Sequence, residues 1–75
     1  MKIARFDVKQ FYDDMNIVRE SRDMTWTDVA TQSGVSASTL TRIGQGRRPD
    51  VDSLAALLVW SNLSPSRYFI GPPAP

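Results

Sequence analysis

The stretch Thr25 to Gly46, TWTDVATQSGVSASTLTRIGQG, holds two helix starts and two helix stops, which leaves it little to be but two short helices joined by a tight turn. Thr25 supplies a capping oxygen, and Asp28 three residues on approximates a capping box, so a helix opens at Trp26 and runs to about Gln32. Ser33-Gly34 ends it, because glycine takes the left-handed conformation of a C-terminal cap. Ser36 caps a second helix over Ala37 to Ile43, and Gly44 and Gly46 close that one. Val29, Ala30, Val35, Leu40 and Ile43 are the apolar positions of the whole stretch; Ala37, Ser38, Thr41, Arg42 and Gln45 leave the second helix polar on its outer side. Small Ala30 with Gly34 and Val35 lets the two helices cross closely.

At 75 residues the chain makes one domain with a small core and no deep pocket for chemistry. It has no cysteine and no histidine. That removes disulfides, thiolate metal sites, the commonest metal ligand and the commonest general base. An enzyme is not expected, nor a metal or a cofactor. Asp13 and Asp14 are adjacent, so on a helix they point to different faces and do not converge as an acid–base pair. No apolar run approaches a membrane span, and Met-Lys-Ile-Ala-Arg-Phe-Asp does not read as a signal peptide. The expected compartment is the cytoplasm. The net charge of +1 is uninformative, but its distribution is not. Val29 to Pro49 has no acid and carries Arg42, Arg47 and Arg48, a local basic face compatible with phosphate contact.

Along the rest of the chain, Ile3 and Phe6 are expected to pack, Phe6 as a hydrophobic staple. Asp7 reads as an N-cap with Gln10 completing a capping box. Val8, Phe11, Tyr12, Met15, Val18 and Arg22 then recur at helical spacing, so a first helix covers about Val8 to Arg22. Gly44 to Pro49 is a loop. Asp50 caps a further helix, Val51 to Ser61, apolar around much of its circumference, as suits a central helix or one lying against another chain. Ser64-Pro65 opens a last short helix near Pro65 to Phe69. Residues 1–70 are expected to form the domain and Gly71 to Pro75 a stiff Pro-rich tail. Val59, Trp60 and Leu63 are the expected seam of a homodimer.

Two short helices crossing steeply, the second with a polar outer face, read as a helix-turn-helix. Val18-Arg19-Glu20-Ser21-Arg22, Met24-Thr25, Val29-Ala30, Ser33-Gly34-Val35-Ser36, Thr39-Leu40-Thr41-Arg42-Ile43, Gly46-Arg47-Arg48-Pro49 and Leu54 further resemble the lambda-repressor-like (XRE, Cro/repressor type) family, over about Val8 to Phe69. The resemblance implies an all-α fold of five helices and a DNA-binding homodimer. It implies that Ser36, Ala37, Ser38, Thr41 and Arg42 face base edges, with Arg42 the best candidate for a paired contact to guanine. It places Thr25, Trp26, Thr27 and Gln45 near the sugar-phosphate backbone, and Arg47 and Arg48 in a loop along a phosphate strand. Three positions depart from the family. Trp26 stands where glutamine is common. Gly44 stands where a glutamate often pairs with an arginine at the position of Arg19, leaving Arg19 exposed or paired with Asp23 or another acid. Ser61 stands where leucine is usual, so the end of the fourth helix is expected to rotate or face a partner.

The expected function is sequence-specific binding of double-stranded DNA by a transcriptional regulator of phage or bacterial type. The alternative is a protein-interaction module of the same fold, such as an antitoxin or a polymerase-associated adaptor, whose fourth helix docks a protein partner.

Overall fold

Asp7, Thr25, Ser36 and Asp50 each sit one residue before a helix, and each side chain accepts the backbone N–H three residues on. These caps divide the chain as its sequence leads one to expect. The computed structural model describes residues 5–71. In chain order it has β1 (Arg5–Phe6), α1 (Val8–Ser21), α2 (Trp26–Ser33), α3 (Ala37–Gly44), α4 (Val51–Ser61), a 3₁₀ turn (Pro65–Tyr68) and β2 (Phe69–Ile70). Thr25 and Asp28 form the full reciprocal capping box. At Asp7 only half of the expected box is made, because the Gln10 amide turns to Asp14 Oδ1 at 2.9 Å. Gly34 ends α2 at φ 78°, in the left-handed region that its missing Cβ permits.

Nearly every element gives the core at least one side chain. Val8, Phe11 and Met15 come from α1, Val29 from α2, Val35 from the turn, Leu40 and Ile43 from α3, Leu57 from α4 and Tyr68 from the 3₁₀ turn. Phe6 is the expected staple: its ring meets Phe11 edge-on at 5.3 Å between centroids. Tyr68 closes the cluster from the other end of the chain, 5.3 Å from Phe11 and 5.5 Å from Phe6.

The expected fifth α-helix is not there. Pro65–Tyr68 is one 3₁₀ turn, and Phe69 is extended (φ −76°, ψ 124°) because it pairs with Phe6. The described residues therefore form four α-helices with an antiparallel clasp, Arg5 opposite Ile70 and Phe6 opposite Phe69. The clasp is reinforced by the Asp7 N–H donating to the Tyr68 carbonyl at 2.6 Å. Ile70 stays half in solvent rather than packing. Ile3 and the tail residues 72–75 lie outside the described residues.

The departures at Trp26 and Gly44 belong to one arrangement. Tyr12 of α1 stacks on Trp26 with ring centroids 4.9 Å apart and planes within 11°. An added Cβ at Gly44 would fall 2.9 Å from Tyr12 Cζ, so the missing side chain is the room the phenol occupies. Arg19 has neither Asp23 as its partner nor full exposure. Its guanidinium donates to Asn16 Oδ1 at 3.0 and 2.7 Å and to the Met24 carbonyl at 2.7 Å, lies 5.3 Å from the centroid of the Trp26 ring, and comes within 4.0 Å of Glu20. An amide, a carbonyl, an aromatic ring and, at the limit of ion-pair distance, the Glu20 carboxylate thus stand in for the absent glutamate. Gly44→Ala should consequently lose about 1 kcal/mol, although alanine is the better helix former by about that amount. Tyr12→Leu should abolish the penalty. Melting curves of the two single variants and the double variant test this, and additive losses would disprove the contact.

Ser61 is buried and serves the end of α4. Its hydroxyl donates to the Leu58 carbonyl and accepts the Leu63 N–H, both at 3.3 Å, while Asn62 caps the helix at φ 59°. The helix end is not rotated outward: Trp60 hydrogen-bonds through its ring N–H to Gln32 at 3.2 Å and lies under the Arg22 guanidinium at 5.0 Å. Trp60 and Leu63 pack against the core, and of the three expected seam residues only Val59 stands free.

Candidate nucleic-acid interface

The burial of Leu40 and Ile43 fixes how α3 sits, and everything on its other side follows. Ser36, Ala37, Ser38, Thr41, Arg42 and Gln45 are all exposed, as the polar pattern leads one to expect. The hydroxyls on this face are tied down locally. Ser36 Oγ accepts the Thr39 N–H and donates to Thr39 Oγ1 at 2.8 Å, Ser38 Oγ lies 3.2 Å from Ser36 Oγ, and Thr41 Oγ1 donates to the Ala37 carbonyl at 3.0 Å. What the face offers outward is a smooth surface of small side chains around Arg42, with unpaired helix amides at its N-terminus.

The basic residues come together. Arg42, Arg47 and Arg48 line one concavity of about 340 Å³ with Thr39, Ile43, Pro49 and Asp50. Among the described residues, neither Arg42 nor Arg47 has a carboxylate within ion-pair distance. Arg48 is partly committed, since it donates to the Phe6 carbonyl at 3.2 Å and so pins the loop to β1. Asp50 is the acid of this concavity, and its charge is directed at its own helix. The Ser53 hydroxyl and then the Ser53 N–H hold its carboxyl below the usual carboxylate range.

Thr25 and Thr27 are exposed at the start of α2, on the flank where a backbone contact is expected. Thr25 Oγ1 is occupied by the Asp28 N–H at 3.1 Å. Trp26 is half-buried, its ring engaged by Tyr12 and Arg19, so it forms part of the α1–α2 packing rather than an outward-facing side chain. Two residues at this surface escape a reading of the sequence. Thr39 lines the arginine concavity, and its spacing of three from Arg42 is the available signal. Tyr12 joins Lys9, Asp13, Gly44, Gln45 and Gly46 around a second concavity, of about 290 Å³, at the end of α3. Its signal is the glycine inside a helix, which marks a close neighbour.

Among the described residues, no group of acids could hold a metal ion, and no helix is long and apolar enough to cross a membrane. A family model described as a helix-turn-helix domain matches residues 16–67, from the middle of α1 to the 3₁₀ turn. No curated protein and no solved structure matches the chain.

Proposed function

The chain belongs to the helix-turn-helix domain family, and from that premise we propose that residues 1–70 form a sequence-specific binder of double-stranded DNA, a transcription regulator of the lambda-repressor-like type. The observation that carries this reading is the convergence of Arg42, Arg47 and Arg48 on one concavity beside the exposed face of α3. In this reading α3 enters the major groove. Ala37, Ser38 and Thr41 allow its backbone close to the bases, Arg42 reaches a guanine, and the α3 N-terminus with Arg47 and Arg48 fixes the register on phosphates. Thr25, Thr27 and Gln45 flank the groove, and Trp26 acts through the packing that sets the pose of α2. Two copies would read an inverted repeat with half-sites about one DNA turn apart.

Arg42→Ala should weaken the preferred duplex by ~1–3 kcal/mol and relax the preference at one base pair. Arg47→Ala should weaken all duplexes alike and reduce the salt slope by about one ion. Selection of bound duplexes from a random pool, followed by salt titrations on selected and random sequences, distinguishes the two roles. Equal small effects of both substitutions would refute the assignment. The adaptor reading has one observation in its favour, the exposure of Val51 and Val59 on α4. Salt-independent behaviour and no shift of any duplex would favour it.

A further inference from the structure

The loop between α3 and α4 is tied at both ends and almost untied in its middle. The Gly46 N–H donates to the Ile43 carbonyl and the Arg47 N–H to the Arg42 carbonyl, both at 2.9 Å, while the Asp50 carbonyl accepts the Leu54 N–H at 3.0 Å. Between these anchors, Arg48 and Pro49 make no backbone–backbone hydrogen bond among the described residues. Proline has no N–H to offer. What reaches this gap is a side-chain bond: Arg48 Nη1 donates to the Phe6 carbonyl at 3.2 Å, across 42 positions of sequence.

The acceptor is suited to the task. The Asp7 N–H bonds the Tyr68 carbonyl, so the next rung, Phe6 opposite Phe69, is of the non-hydrogen-bonded kind, and the Phe6 carbonyl points away from β2. A carbonyl that the ladder does not use is thereby left at the sheet edge for Arg48. It is also a fixed point. The Phe6 ring is wedged 5.3 Å from Phe11 and 5.5 Å from Tyr68, two side chains almost wholly removed from solvent.

We propose that Arg48 is the positioning residue of this loop: its bond to the Phe6 carbonyl orders the segment before a duplex arrives, and Arg47 is the loop's phosphate ligand. The inference rests on the DNA reading, and it divides between two neighbours a task that their sequence gives to both. Arg47 is exposed and, among the described residues, has no carboxylate within ion-pair distance, so its guanidinium is available to a phosphate. Arg48 is exposed as well, but a donor spent on Phe6 fixes where its head lies. A loop ordered in advance spares binding the entropy of ordering it. The phosphate strand then meets a loop whose pose is set by the pairing of β1 with β2.

Arg48→Ala in the full chain should weaken a selected duplex and a random one alike, by about fivefold, the worth of one modest hydrogen bond. The salt slope should stay near that of the unchanged chain, since Arg47 still neutralises its phosphate once bound, whereas Arg47→Ala lowers the slope by about one ion. In an Arg47→Ala background, Arg48→Ala should cost less than about twofold, because no contact is left to prepare. Without DNA, the amide order parameter at position 48 should fall from ~0.85 to below ~0.6 in Arg48→Ala, with unchanged helical circular dichroism. Losses that add in the double variant, each with its own drop in slope, make Arg48 a second phosphate ligand and overturn the proposal while the DNA reading stands. A loop that stays ordered in Arg48→Ala overturns it as well. A chain that shifts no duplex removes the DNA reading, and the proposal falls with it even where the order parameters show the loop pinned.

Discussion

Phe11→Ala should lower the melting midpoint by roughly 15–30 °C in far-ultraviolet circular dichroism, whereas Ile17→Ala on the same helix should leave it almost unchanged. Phe11 is fully buried, and its ring meets both Phe6 and Tyr68. Truncating such a side chain costs ~3–5 kcal/mol through lost transfer energy and the cavity left behind. A chain of this length holds roughly 4–11 kcal/mol in all at the general rate per residue, so one substitution removes a large part of it. Ile17 is 64 % exposed and has little burial to lose. A small shift for Phe11→Ala would mean that α1 packs through another face than the one described.

Raising the pH from 10 to 12 should destabilise the native chain by about 2 kcal/mol beyond the loss seen in Tyr68→Phe. The Tyr68 phenol is pushed up from its ordinary 10.0 to about 12, first by burial, then by its hydrogen bond to Asp14 and by the Asp14 charge, with Arg67 opposing. Its hydroxyl donates to Asp14 Oδ2 at 2.7 Å. Below pH 10 the proton is held in both the folded and the unfolded chain, and the contribution is complete. Between 10 and 12 the unfolded chain releases it and the folded chain does not, so stability falls as pH rises and is spent above 12. Tyr68→Phe should cost ~1–2 kcal/mol at neutral pH, because the bond has a charged acceptor, and should flatten this alkaline limb. Urea unfolding of both proteins across that range measures the difference. Parallel curves would show that the phenol ionises as freely in the folded chain as in the unfolded one.

The parts of this fold that the sequence disclosed are those whose cause is local. Asp7, Thr25, Ser36 and Asp50 announce four helices because a capping oxygen acts on an amide three residues away. The exposed face of α3 was legible because Leu40 and Ile43 leave it only one way to turn. The clasp was not legible: a pair of two-residue strands has no periodicity, and its partners lie at opposite ends of the chain. The packing of Trp26 was not legible for a related reason. Its position at a helix start is local, but the Tyr12 ring and the Arg19 guanidinium that claim it come from α1. The coming together of Arg42, Arg47 and Arg48 could be expected from their closeness in sequence, whereas the bond from Arg48 to the Phe6 carbonyl could not.

The clasp also decides how the molecule responds to mechanical load. Arg5 and Ile70 form its outer rung and Phe6 and Phe69 its inner one, so a tether on each end pulls the rungs apart one after the other rather than shearing them together. Tension drawn through both ends meets this two-rung ladder and the Asp7–Tyr68 bond behind it before it reaches α1. Stretched in this way, the chain should peel open at low force, releasing Tyr68 from its place against Phe11 while α2 and α3 are still folded.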